Sequence, residues 1–410
     1  MMVPFTEQSM FGQIILWIAF FYLISLYPKY MLHKMIGEME AVVDTLSGYT
    51  RDAAEIVKKV AREKGGVRKD PMPEIERMMD FFLIPPVDLD PYGILRKIEH
   101  ILDRAEDRFD HVASRISPKA DRVWRANVNS LLKGTIGLNM LTKMLRHYVE
   151  FAKKTGNIQI AMIIHMQLVL IKKIAKAQME GVKAISKGKP IGDGIGPLVA
   201  ANLIEGKPRT VAKDVVYSRT DIRGRTVHVL KADGPGATLG KIGEAVKKVA
   251  KENRVKKIIT IDASVKLEGE ETGKVSEGMG AAIGDAGPQK AKIEEAALEL
   301  GIPVEAIVVK MSVEEAISPL TKNIASSVKK VLAYVRQSAA LIEKGGHVLV
   351  VGVGNTCGIG NSKAEIRGMR FPEPKEEEEK LGLTDRIIKR LATPPPPRPE
   401  DERDERKGQV

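Results

Sequence analysis

The chain has 410 residues, of which 29% are charged and 43% hydrophobic, so it holds two or three folded domains rather than a disordered polymer. Its one cysteine, Cys357, excludes an internal disulfide framework, and without a second Cys or clustered His there is no metal-ligand motif. The net charge of +12 is concentrated early, with 29 basic against 20 acidic residues over 29–190. That excess favours anionic lipid headgroups; with aromatics at 5% and no recognition motif, nucleic acid is not an expected partner.

Residues 10–27 carry no charge and are rich in Phe, Trp, Ile and Leu, with Tyr22, Tyr27 and Tyr30 towards one end. Eighteen such residues just span a bilayer, and tyrosines suit its interface. Glu7 precedes the segment; Lys29, His33 and Lys34 follow it. Positive residues stay inside, so the expected topology is a single span with a cytoplasmic body. A cleaved signal peptide fits less well, because a basic n-region and a small-residue cleavage site are missing.

Helix continues over 35–61. Pro85 and Pro86 forbid it within F-F-L-I-P-P-V-D-L, and another helix is expected from Asp90-Pro91. In that helix Leu95, Ile98, Leu102, Ala105, Phe109, Val112 and Ile116 follow heptad spacing, so its partner is a helix of this chain or of a second copy. Two more helices are expected over 119–154 and 157–187. The apolar run 158–171 is short for a span and holds Gln159, His165 and Gln167; a buried central helix is expected, with a membrane-inserted hairpin as the alternative.

The period changes after K-G-K-P-I-G-D-G-I-G-P-L-V at 187–199. Runs rich in β-formers at 226–232, 257–262, 304–310 and 347–353 alternate with helical patterns at 239–253, 289–300 and 320–343. Such alternation indicates a largely parallel sheet covered on both faces, whose ligand crevice lies at the carboxyl ends of the strands. Asp193 falls in a glycine-rich turn before a short helix at 198–204, and Asp262 ends the strand I-I-T-I-D. If the two carboxylates meet, repulsion raises one pKa and gives an acid and a base. Asp285, in the glycine-rich loop 278–288, is a third acidic candidate. Each aspartate has a plainer reading, as a turn cap or loop residue. The tail from Phe371, with E-E-E-E and P-P-P-P, is expected to be disordered apart from a short helix near 383–391.

G-D-G-I-G-P-L-V at 192–199 resembles the D-x-L-G-P-x-V segment of the bacterial spore germination protease. I-I-T-I-D-A at 258–263 resembles that family's I-x-I-D-A strand end, and the loop G-A-A-I-G-D-A-G-P-Q-K, a helix and G-I-P-V-E-A-I-V-V follow in its order. Hydrogenase maturation endopeptidases have a related fold with acidic residues at both positions. The resemblance implies a three-layer α/β domain of phosphorylase/hydrolase type, a peptidase-like activity on a protein or peptide, and Asp193 and Asp262 at the two acidic site positions. In those families a strand ending G-x-G-N precedes the first acidic motif. Here V-L-V-V-G-V-G-N stands at 348–355, so a permuted arrangement is expected, bringing 354–361 beside Asp193. His228 and His347, the histidines of this region, match no ligand position, so no metal is expected and no cofactor is indicated.

As a rival, G-V-G-N-T-C-G-I-G at 352–360 offers glycines to a phosphate. Candidate ligand-binding residues are therefore Gly192, Gly194 and Gly196 in one loop and Gly352, Gly354 and Asn355 in the other. The whole chain also resembles an uncharacterised archaeal family of N-terminally anchored proteins, through L-I-P-P-V-D-L-D-P and the 187–199 stretch. The expected organisation is α plus α/β: an anchor over 1–34, a helical region over 35–188, a peptidase-like α/β region over 189–370 and a tail over 371–410. Two readings stand: a membrane-anchored acidic hydrolase, or a non-catalytic anchored scaffold that forms homo-oligomers through its helices or binds a nucleotide or phosphate.

Overall fold

The computed structural model describes residues 7–86, 93–282 and 287–374. Asp285, the expected helix near 383–391, and residues 87–92 of the proline-rich stretch lie outside them.

Helix α1 (Glu7–Glu63) is continuous for 57 residues and passes through Pro28, which removes one helical N–H. Its two halves obey different rules. From Met35 onward, buried residues recur every three or four positions: Met35, Met39, Val42, Leu46, Thr50, Ala53, Val57 and Val60. From Ile14 to Tyr30 every large apolar side chain is exposed. The buried half packs against α4 (Arg122–Thr155) and α5 (Ile158–Ile185) as a three-helix bundle. Asp121 caps α4 by accepting from Trp124 N at 2.7 Å. Gly156, at φ +62°, ends α4, and Asn157 caps α5, so two residues reverse the chain. Helices α2 (Met72–Met79) and α3 (Ile94–Ile116) pack against the bundle.

One expectation for the helices is corrected. The run 158–171 is not a buried central helix. Within it only Ala161 and Leu168 are buried, while Met162, Ile163, Met166, Val169 and Leu170 are exposed. Apolar composition marked it as core, but the bundle needs one face of it. His165 lies at the helix interface, 2.5 Å from the Glu38 carboxylate. The heptad stripe of α3 packs on α4 of this chain with its C-terminal half. Ala105, Phe109, Val112 and Ile116 are buried within this chain, whereas Leu95 and Leu102 are exposed.

A turn of 3₁₀ helix (Gly192–Gly194) leads into α6 (Ile195–Leu203). The sheet follows: β1 (Arg209–Ala212), β2 (Val215–Ile222), β3 (Arg225–Ala232), β4 (Lys257–Val265), β5 (Val275–Met279), β6 (Val304–Met311) and β7 (His347–Gly352), in the order β1-β2-β3-β7-β4-β6-β5. It is mixed rather than largely parallel. β3, β7, β4 and β6 run parallel, and antiparallel pairings add β1 and β2 at one edge and β5 at the other. β7, last in sequence, inserts between β3 and β4 at the centre.

One face carries α6, α10 (Lys322–Ser326) and α11 (Val328–Ala340), joined to the sheet through Val229, Ile259, Ile261, Ile307 and Val350. The other carries α7 (Ile242–Glu252) and α8 (Gly287–Leu300), packed on Leu230, Ile258, Leu349 and Val351. The alternation of these residues along each strand is the two-residue period of a pleated sheet. Short α9 (Val313–Ile317) follows β6 and packs against α5.

Candidate functional site

The carboxyl ends of the parallel strands meet the Asp193 turn. Gly196 of α6 sits directly on two central strands: a Cβ there would stand 2.2 Å from Val353 O and 2.4 Å from Ile261 O. Gly352 faces it, where a Cβ would stand 2.5 Å from Gly196 O. Gly354 adopts φ +128°, open to glycine, and a Cβ on it would meet Asp193 O at 2.0 Å. A Cβ on Gly192 would meet Glu315 O at 2.1 Å, and one on Gly194 the Ile359 side chain at 2.6 Å. Asn355 N donates to Asp193 Oδ2 at 2.7 Å, and Asn355 Oδ1 accepts from Cys357 N. The two glycine loops thus come together, with the strand order expected from V-L-V-V-G-V-G-N. Their glycines serve close backbone contact with each other and with the surrounding chain.

Asp193 is half-buried, and burial raises its pKa against the opposing pull of the Asn355 N–H. Asp262 is buried at 3% exposure, and its Oδ1 accepts from Ala263 N. It stands within β4 rather than at the end of it. Parity then decides its direction. Ile259 and Ile261 face α6, whereas Ile258 and Thr260 face the α7–α8 layer; Thr260 accepts there from Ala282 N. Asp262 has the parity of Ile258 and Thr260. The Asp262 side chain therefore leaves β4 on the face opposite α6, while the Asp193 turn lies at the strand ends. Asp285 lies outside the described residues.

A second polar cluster lies at the end of β3. Lys231 is fully buried and donates to Ala232 O at 2.8 Å and Asn361 Oδ1 at 2.7 Å. Asn361 also accepts from Gly234 N and donates to Asp233, whose other oxygen is 2.9 Å from Arg122 of α4. Burial brings Lys231 down to about 8, against Asp233 and Glu365, which favour its charge. A lysine inside T-V-H-V-L-K-A was the sequence signal for it; its partner Asn361 is 130 positions away, which no local pattern links. The sign of its pH effect follows. Below pH 8 folded and unfolded chains are both charged and the burial cost is present. Between pH 8 and 10.5 the unfolded chain holds the extra proton, so stability rises with pH. Lys231→Met is expected to remove a rise on the order of 3 kcal/mol across that window, read from chemical denaturation of both proteins at several pH values.

His228 shares hydrogen bonds with Tyr217 Oη at 2.8 Å and with His347 Nδ1 at 2.9 Å. His347 opens β7, so this stack lies towards the opposite end of the strands from Asp193. Burial, then His347 and Arg219, push His228 down to about 4. Among the described residues no group of three His, Cys, Asp or Glu could hold a metal.

The helical half covers the strand ends. Asn127 Oδ1 accepts from Ala237 N at 2.9 Å, and Ser130 donates to Ala237 O. Gly236 lies against Val123 and Ala126, and Gly358 against Gly188 and Pro190. Cys357, from the loop after β7, is buried in the core of the helical bundle. An open groove of about 860 Å³ lies elsewhere, bordered by Leu198, Asn202, Lys329, Lys363 and Arg367; neither Asp193 nor Asp262 lines it.

The molecule is thus a mixed α/β protein with a helical half seated on its sheet and a long apolar N-terminal helix. Residues 13–188 match "Protein of unknown function (DUF1512) N-terminal domain" and residues 191–360 match "Domain of unknown function (DUF1512) C-terminal". The chain belongs to the DUF1512 family. No curated protein and no solved structure matches it.

Proposed function

We propose that this protein is a membrane-anchored scaffold, held by the apolar half of α1 and presenting a rigid helical and α/β body on the side of Lys29, His33 and Lys34. One observation carries the non-catalytic part. The crevice outside the carboxyl ends of the strands, where open α/β sheets take their ligands, is occupied by the protein's own helices. Asn127 and Ser130 of α4 bond to the 236–238 turn there, and Cys357 is enclosed in the bundle. The described glycines of both loops lie against each other and against the surrounding backbone, which favours packing over phosphate binding. The basic excess beside the span supports a body on the cytoplasmic face.

A hydrolase remains the second reading, favoured by the half-open, raised-pKa carboxyl of Asp193. The two readings separate on Asp193→Asn. In the scaffold, Asn keeps the acceptor for Asn355 N and removes a charge that burial disfavours. The variant is then as stable as the wild type below pH 4 and more stable at pH 7, because the raised pKa places the cost above the ordinary carboxylate range. Peptide-library cleavage and self-processing by the full chain in detergent are expected to be absent or unchanged. Cleavage that disappears in Asp193→Asn would overturn the scaffold reading.

A further inference from the structure

The α4–α5 hairpin carries an apolar surface that the bundle leaves open, and its position along α1 is fixed by paired contacts. Thr142 bonds to Thr50, Arg146 to Ser47, and Lys153 is 2.5 Å from Glu40, so α4 runs antiparallel to α1. His165 is 2.5 Å from Glu38, so α5 returns parallel to it. The tip at 155–158 therefore lies beside α1 at residues 31–38. Met31 and Leu32, the first partly covered residues of α1, belong to the same core cluster as Ile158.

This is the level at which the uncharged segment ends. At 1.5 Å per residue the tip lies about 6–17 Å beyond Tyr27. A headgroup layer is about 5–8 Å thick on each side of the hydrocarbon, and interfacial apolar groups sink about 5–10 Å. Phe151, Met162 and Ile163, all exposed, are nearest the tip, and α5 has no charged residue before Lys172. Sliding the hairpin further in, so that it spans, would carry Lys29, His33, Lys34 and Glu38 into hydrocarbon. Lys29 and Lys34 alone would strongly oppose that placement.

We propose that the hairpin tip is a second membrane contact. Met162 and Ile163 rest against the headgroup layer of the leaflet from which α1 emerges, outside its hydrocarbon, and Lys29, Lys34 and Lys154 face anionic headgroups. The body is then held at two points, which fixes its orientation to the membrane. This rests on the anchor reading of α1.

The test uses the full chain in phosphatidylcholine–phosphatidylglycerol vesicles. Cys357 is buried and its thiol is pushed up to about 12, so an introduced cysteine takes the label. Environment-sensitive fluorophores are placed singly by Leu16→Cys, Ile163→Cys and Met140→Cys. Met140 is exposed, roughly 20 Å along α4 from the tip. Nitroxide lipids are expected to quench the labels at positions 16 and 163 several-fold more than the one at 140, which aqueous iodide quenches instead. A label at 163 open to iodide and untouched by nitroxide lipid, with the label at 16 quenched by lipid, overturns the second contact and leaves the anchor standing. A label at 163 shielded from both, with self-quenching relieved by unlabelled chain, overturns it in favour of a second copy. A label at 16 that ignores the lipid overturns the anchor reading, and this inference with it.

Discussion

Gly196→Ala is expected to destabilise the protein by about 3 kcal/mol. The added Cβ would stand 2.2 Å from Val353 O, 2.4 Å from Ile261 O and 2.8 Å from Val353 N. These are backbone atoms of β4 and the residue after β7, the two central strands, joined there by Val353 N donating to Ile261 O at 2.9 Å. No side chain can swing aside. Relief requires α6 to lift, which uncovers Ile195, Leu198 and Val199 and pulls on Asp193. Gly206→Ala is the control: nothing lies within 4 Å of the added carbon, and its backbone is not left-handed. Denaturant midpoints in detergent should fall for the first and hold for the second. Equal midpoints would mean that α6 is not seated on the strand ends, and the packing role given to the glycines would go with it.

The second large effect concerns the anchor. Leu16→Arg with Phe20→Arg places two guanidinium groups in the middle of the exposed apolar half of α1. At about 2.5–3.5 kcal/mol each, the pair costs about 6 kcal/mol of membrane insertion, a shift on the order of 10⁴ in partitioning. Neither side chain joins a core cluster of the body, so the bundle and sheet should melt at the wild-type temperature. Fractionation of expressing cells reads the first statement and thermal unfolding of the soluble variant reads the second. A variant that stays in the membrane would show that something other than α1 holds it there.

Much of this fold is legible locally because it rests on period. The change from uniform apolarity to heptad-like spacing near Met35 marks where α1 enters the bundle. Val348–Val351 read as a strand buried on both faces, and the resemblance of the following G-V-G-N to the G-x-G-N of the protease families implied its place beside the Asp193 turn. Local pattern fails where a strand is half polar. β2 begins V-V-Y and ends S-R-T-D-I, and its turn to β3 is Arg223-Gly224, both at positive φ, without the Asn-Gly signal that marks such hairpins. β5 is V-S-E-G-M, an exposed edge with little to bury. The face of an apolar helix is also illegible when composition is uniform, which is why 158–171 looked like core. For the candidate site, residue types were visible and directions were not. Asp262 follows I-I-T-I as a site carboxylate would, but three more residues of pleat alternation separate a strand end from a mid-strand position. That α4 would roof the strand ends depends on contacts such as Asn127 with Ala237, 110 positions apart.

The most direct test of the account is alkaline carbonate extraction of membranes from cells making the full chain, with flotation of the pellet through a density gradient. A tether formed by α1 predicts that the protein stays with the lipid and floats, as an integral protein does. Its recovery in the carbonate supernatant would contradict the anchored scaffold outright.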